Sequence, residues 1–229
     1  MALVRSTEVL AYAQEAHFAV GAFNADNMEM LQAIVEAAEE ERAPVILQVS
    51  EPTVRYAGLT LPAAMVKQVA AEVTVPVVLH LDHGTSFEQN VHALRAGFTS
   101  LMFDGSRLPY EENVAITRRI ADMAHIAGLA VEAELGKVLQ TGATPEEVAA
   151  AMTDPDQAAD FVARTGCDSL AVAVGSIHAM KGREADLDLE RIRAIHERVG
   201  LPLVLHGSSG VKHDSITAAI ALGVCKVNV

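Results

Sequence analysis

The sequence has no tryptophan, three tyrosines, six phenylalanines and only two cysteines. So few thiols exclude a disulfide framework, and Cys167 and Cys225 both sit in apolar stretches as candidate buried side chains, which suits a reducing cytoplasm. Positive charge is also scarce: 17 Lys and Arg against 30 Asp and Glu leave a formal net charge of −13. Holding a nucleic-acid backbone takes clustered cations, so nucleic acid is excluded as a partner. A small phosphorylated ligand is not, because a few backbone N–H groups and one metal ion can hold a phosphate locally. No apolar run approaches the roughly 20 residues that cross a bilayer. The opening MALVRSTEVLAYAQEAHFAV reads as an amphipathic helix, not a signal peptide. The expectation is a cytoplasmic protein with no membrane partner.

What is present is a 229-residue chain that is 51% apolar and rich in Ala, Val and Leu. Its length fits one α/β barrel domain over residues 1–229, since such barrels run to roughly 250 residues. Short apolar runs recur as candidate strands: AVGAF (19–23), PVILQVS (44–50), PVVLHLD (76–82), SLMFD (100–104), AVEAELG (130–136), SLAVAVG (169–175), PLVLHG (202–207) and VCKVNV (224–229). Most are continuous instead of alternating, as when both faces of a strand are covered. Between them lie helical patterns at 28–43, 88–97, 110–130 and 156–166, two of which end in Gly where a left-handed cap would sit. Strands alternating with helices imply parallel units with right-handed crossovers, and eight of them predict a closed (β/α)8 TIM barrel. The sequence stops at Val229 on the last candidate strand, so this barrel is expected without the C-terminal helices that would follow. The stretch KVLQTGATPEEV (137–148) lacks a helical phase and is a candidate active-site lid.

In such a barrel, reactive side chains collect at the C-terminal ends of the strands. Of nine histidines, His83, His178 and His206 occupy such places. A lone histidine is more often a hydrogen-bonded structural residue, but three on one rim can converge on a divalent ion in the open form of a catalytic zinc site. His80 is a lower-ranked fourth candidate because it lies deeper. Asp82 adjoins His83 and is placed for proton transfer, with orientation of a histidine as its alternative role. Asp104 and Glu134 end the next two strands and could hold a cation or orient ligands, or else pair with Lys137 or Arg107. HGSSG (206–210) provides a Gly/Ser turn where backbone N–H groups can bind an oxyanion.

The chain resembles the metal-dependent (class II) ketose-bisphosphate aldolases, which include fructose- and tagatose-bisphosphate aldolases. The resemblance is carried in order by GAFNADNMEMLQAIVEAAEE (21–40), VPVVLHLDHGTSFE (75–88), AGFTSLMFDGS (96–106), VEAELG (131–136), TGCDSLAVAVGSIH (165–178), LPLVLHGSSG (201–210) and LGVCKVNV (222–229). It implies a zinc ion on His83, His178 and His206, replaceable by cobalt or manganese, with a monovalent cation nearby and Asp104 and Glu134 near an alternative metal position. It implies Asp82 as the acid that protonates the aldehyde oxygen. It also implies Gly207, Ser208, Ser209 and Asn228 as contacts for dihydroxyacetone phosphate, and Asn24, Ser50 and Ala179 as pocket residues. The implied reaction is reversible aldol cleavage of a ketose 1,6-bisphosphate through a metal-stabilised enediolate, without a Schiff-base lysine, in a homodimer or homotetramer. Three features depart from the family pattern. Ala179 stands where the family has Gly after its second ligand histidine. The loop after strand five lacks the Gly-Gly pair and leaves Glu146 and Glu147 as its nearby acids. The helices after strand eight are absent. A barrel hydrolase would use the same ion to activate water, but its usual His-x-His in strand one is replaced by GAFNAD; a non-catalytic barrel would have no need of His83, His178, His206 and Asp82 together.

Overall fold

The computed structural model describes residues 3–178, 182 and 184–229. Eight parallel strands close into a barrel: β1 (Val20–Asn24), β2 (Val45–Val49), β3 (Val77–Leu81), β4 (Ser100–Phe103), β5 (Ala130–Leu135), β6 (Ser169–Val172), β7 (Leu203–Leu205) and β8 (Val224–Asn228). Each strand bonds to its chain neighbours, and β1 pairs with β8 to complete the ring. This is the (β/α)8 architecture expected from the alternating pattern, and all eight predicted strands are present.

Helices cover the outside of the ring, and their ends follow local capping. Helix Met28–Glu41 begins where the Asn27 side chain accepts from the Met30 N–H; helix Phe87–Ala96 begins in the same way at Ser86 and ends at Gly97. The pattern read as helical over 110–130 stops at Ile126, because the chain must turn through Gly128 (φ +73°) to enter β5. Three helices that the periodicity did not single out, Glu51–Ala57, Thr60–Ala70 and Leu189–Val199, carry the connections before β3 and β7. The first helix, Ser6–Ala16, closes the far end of the barrel. Its Val9, Leu10 and Ala13 pack against Val20, Ala22, Ile46 and Val78, and the last three of these stand in register on adjacent strands. No helix among the described residues is long and apolar enough to cross a membrane.

Two local features differ from expectation, and both shape the functional end. Strand β6 ends at Val172, not at Gly175, since Gly175 takes φ +106°, which an extended strand does not allow. The segment after β5 is not structureless: Leu139–Gln140 pairs in parallel with Ile177–His178, and Pro145–Ala151 is helical behind a Thr144 capping box.

Candidate active site

At the C-terminal mouth of the barrel lies a cavity of about 650 Å³ whose walls include Asp82, His83, Asp104, Glu134, His178 and Asn228. Asn24, Ser50, Gly207 and Ser209 also line it. Residues from β1, β2, β3, β4, β5, β7 and β8, or from the turns just beyond them, therefore face one space, as the rim argument requires.

His83 leaves β3 with φ +51°, the left-handed region that costs a residue with a side chain. The surroundings hold it there through both ring nitrogens. Nδ1 donates to Asp104 Oδ2 at 2.9 Å, and Nε2 lies 3.0 Å from His206 Nδ1. Gly84 permits this approach: a Cβ at that position would stand 2.3 Å from the Met102 carbonyl oxygen, so only glycine lets the ends of β3 and β4 come together. Burial pulls the His83 imidazole down, but the bond to Asp104 and the carboxylates of Asp82 and Glu134 outweigh it and raise the group to about 9. Its Nε2–H then donates to His206.

His206, at the end of β7, is fully buried and held from below, where Nε2 donates to Glu132 Oε1 at 2.9 Å. Burial, more than any charge, lowers its pKa. Glu134 is also buried, and its Oε2 has no hydrogen-bond partner among the described residues while standing 3.8 Å from His83 Nδ1 and 3.7 Å from His206 Nδ1. Burial first, and Asp104 second, push this carboxyl up to about 8. Neither Asp104 nor Glu134 pairs with Lys137 or Arg107 among the described ion pairs, so that alternative is corrected: Asp104 is taken by His83 and by the Ser106 N–H.

These groups fit a divalent ion. The side-chain donor atoms of Asp82, His83 and His206 lie within 4.8 Å of one another, as do those of His83, Asp104 and Glu134. A buried carboxylate oxygen without a partner among the described residues, beside two imidazoles that each hold a carboxylate on one ring nitrogen, is donor chemistry that a cation satisfies. His178 falls outside both groups. Its ring centroid is 6.0 Å from that of His83, against 4.6 Å between His83 and His206. The physical reason is the early end of β6, which puts His178 on the paired segment 177–178 and not on a strand end of the ring. Burial lowers its pKa to about 4, helped by His206 and His83.

Asp82 is buried and accepts from Asn228 Nδ2 at 3.0 Å. Burial acts to raise its carboxyl, but His83, His206 and Lys226 together leave it below the ordinary carboxylate range. Around the mouth, Asn24 Oδ1 accepts from Gln48 Nε2, and the Ser50 hydroxyl lies 3.2 Å from that of Thr53. Gly207 turns the chain at φ +67°, with the Ile177 backbone 3.2 Å from where a Cβ would sit. Ser208 is not among the residues lining the cavity and donates to the Asn228 carbonyl, and residues 208–210 form a 3-10 turn ahead of the helix His213–Ala221. Glu147 caps its own helix at Thr144, and Glu146 does not line the cavity. Ala179 lies outside the described residues. Sequence reasoning gave no role to Glu132, Lys226 or Gln48, which form the floor and wall beneath the named residues; the signal available was their place on inward-facing strand positions of KVN, EAELG and ILQV.

A profile of the family described as "Fructose-bisphosphate aldolase class-II" matches residues 4–229. The chain is 48% identical to the "Probable fructose-bisphosphate aldolase" of Bacillus subtilis (strain 168), over 100% of this chain and 81% of that protein. It is 45% identical to the "Fructose-bisphosphate aldolase" of Geobacillus stearothermophilus, with the same coverage. The solved structure of the YdjI aldolase from Escherichia coli K12 superposes with a TM-score of 0.89 at 40% identity, covering 99% of this chain and 81% of that one.

Proposed function

The chain belongs to the class II fructose-bisphosphate aldolase family, whose members are lyases, and we propose that it reversibly cleaves a ketose 1,6-bisphosphate of the fructose or tagatose type. The products in this reading are dihydroxyacetone phosphate and an aldehyde. The observation that carries it is the contact of His83 Nε2 with His206 Nδ1 beside a buried oxygen of Glu134 that has no partner among the described residues. Zinc is the ion these donors favour, held by His83 and His206 with His178 as third ligand from the wall and Asp104 and Glu134 adjacent; cobalt and manganese suit the same imidazoles. When bound, the ion supplies Lewis-acid polarisation of a substrate oxygen.

The chain's own residues account for proton transfer at the aldehyde oxygen and for holding the substrate, while the proton that the enediolate carbon takes up on cleavage is drawn from solvent. Asp82 takes the proton of the C4 hydroxyl during cleavage and returns it to the aldehyde oxygen during condensation. Its bond to Asn228 aims the carboxylate, and its lowered pKa keeps it able to accept a proton. Gly207 and Ser209, with the backbone of Ser208, bind the phosphate through the turn after β7. Asn24 and Ser50 line the cavity along β1 and β2 and meet the rest of the sugar. The same reading has the chain assemble as a homodimer or homotetramer, which sedimentation velocity measures.

A coupled assay with fructose 1,6-bisphosphate and tagatose 1,6-bisphosphate tests the proposal. Cleavage of at least one is expected. If neither is cleaved by zinc-loaded protein, the substrate assignment is wrong.

A further inference from the structure

Beneath the cavity floor, the barrel axis holds an ionic cluster that the proposed reaction does not touch. Lys226 on β8 is fully buried and places Nζ 2.8 and 3.0 Å from the two carboxylate oxygens of Glu132 on β5. The same ammonium lies 3.3 Å from His80 Nε2, and His80 Nδ1 lies 2.8 Å from the Ser100 hydroxyl. On its upper side Glu132 Oε1 accepts from His206 Nε2 at 2.9 Å.

A buried ion pair is a poor source of stability, since desolvating both charges offsets their attraction; apolar residues of similar volume often serve as well or better. The bond to His206 supplies a different reason for the pair. A neutral imidazole carries one proton, and the partner of one nitrogen decides where the other nitrogen's lone pair points. With Lys226 on both of its oxygens, Glu132 acts on His206 only as an acceptor. The proton therefore stays on Nε2, and Nδ1 presents its lone pair toward His83 and the cavity. We propose that Glu132 and Lys226 position His206: Glu132 sets the ring's tautomer and orientation, and Lys226 anchors Glu132 from the opposite side of the barrel. This rests on the reading of His206 as a metal-holding residue.

Two double variants isolate the hydrogen bond from the charges. Glu132→Gln with Lys226→Met removes both charges but keeps an oxygen that can accept from His206. Glu132→Leu with Lys226→Met removes the acceptor as well. Zn²⁺ alone is titrated into each chelator-stripped protein against a chromophoric competitor, with circular dichroism as the measure of fold. The Gln variant is expected to bind within a few-fold of the parent, and the Leu variant on the order of 10- to 100-fold more weakly. Equal affinities in the two variants overturn the proposal. Independently, long-range ¹H–¹⁵N spectra of the metal-free parent are expected to show His206 protonated at Nε2; protonation at Nδ1 overturns the proposal even if a variant fails to fold. Zinc that does not bind the parent, or that binds equally after His83→Ala, overturns the metal reading itself together with this inference. Zinc binding that His83→Ala abolishes, with equal double variants, overturns only the positioning role.

Discussion

At Asp82, burial and neighbouring cations act in opposite directions, and the cations prevail. The result is a buried carboxylate on the cavity wall that Asn228 holds in place. Asp82→Asn keeps the shape but removes the group that exchanges a proton. Steady-state kinetics are expected to show kcat lowered on the order of 10²-fold or more, with zinc still bound; an unchanged kcat would remove Asp82 from the reaction. Gly84 is a second residue with a definite expectation. An added methyl meets the Met102 carbonyl, so Gly84→Ala must part β3 from β4 and loosen the His83–Asp104 bond. A lower melting temperature and weaker zinc binding, read by calorimetry, are the expected outcome. At this scale the motifs HLDHG and HGSSG were legible because chemistry-bearing residue types cluster at strand ends. Lys226 was not legible. A lysine in VCKVNV stands on a barrel strand, but only the register of the closed ring shows that it reaches across the axis to Glu132.

The strands were legible as elements because each is a short apolar run bounded by turn or cap residues, and burial on both faces removes any need for alternation. The segment from 137 to 151 was harder to read. Its two-residue strand forms only because Ile177–His178 lies alongside, a contact between distant parts of the sequence that no local pattern encodes. The same dependence moved His178 off the expected strand end. One side chain ties this region together: Thr153 is buried, its hydroxyl donates to the Leu135 carbonyl and accepts from the Ala173 N–H, and it thus links the ends of β5 and β6. Thr153→Val keeps the volume and leaves both backbone groups unpaired. The expected cost is on the order of 2 kcal/mol, since a buried polar group left unsatisfied bears its full desolvation penalty. Differential scanning calorimetry should show it as a fall of roughly 4–8 °C for a chain of this size. No shift would mean that the bonds across this junction are not limiting.

For the molecule as a whole, barrel closure brings together residues more than a hundred positions apart, such as His83 and His206 or Asp82 and Asn228. The β/α alternation foretold that closure, and the family profile over 4–229 agrees with it. The polar interior of the barrel was not foretold, because nothing in periodicity distinguishes an inward-facing carboxylate with a buried partner from one facing solvent. The claim on which the proposed function turns is that a divalent ion at His83 and His206 is required for carbon–carbon cleavage. It is tested most directly by assaying ketose-bisphosphate cleavage in protein stripped by chelator to less than a trace of metal, and then titrating Zn²⁺ back. The expected result is loss of activity on stripping and recovery that saturates at one ion per chain; full activity in the metal-free protein would contradict it.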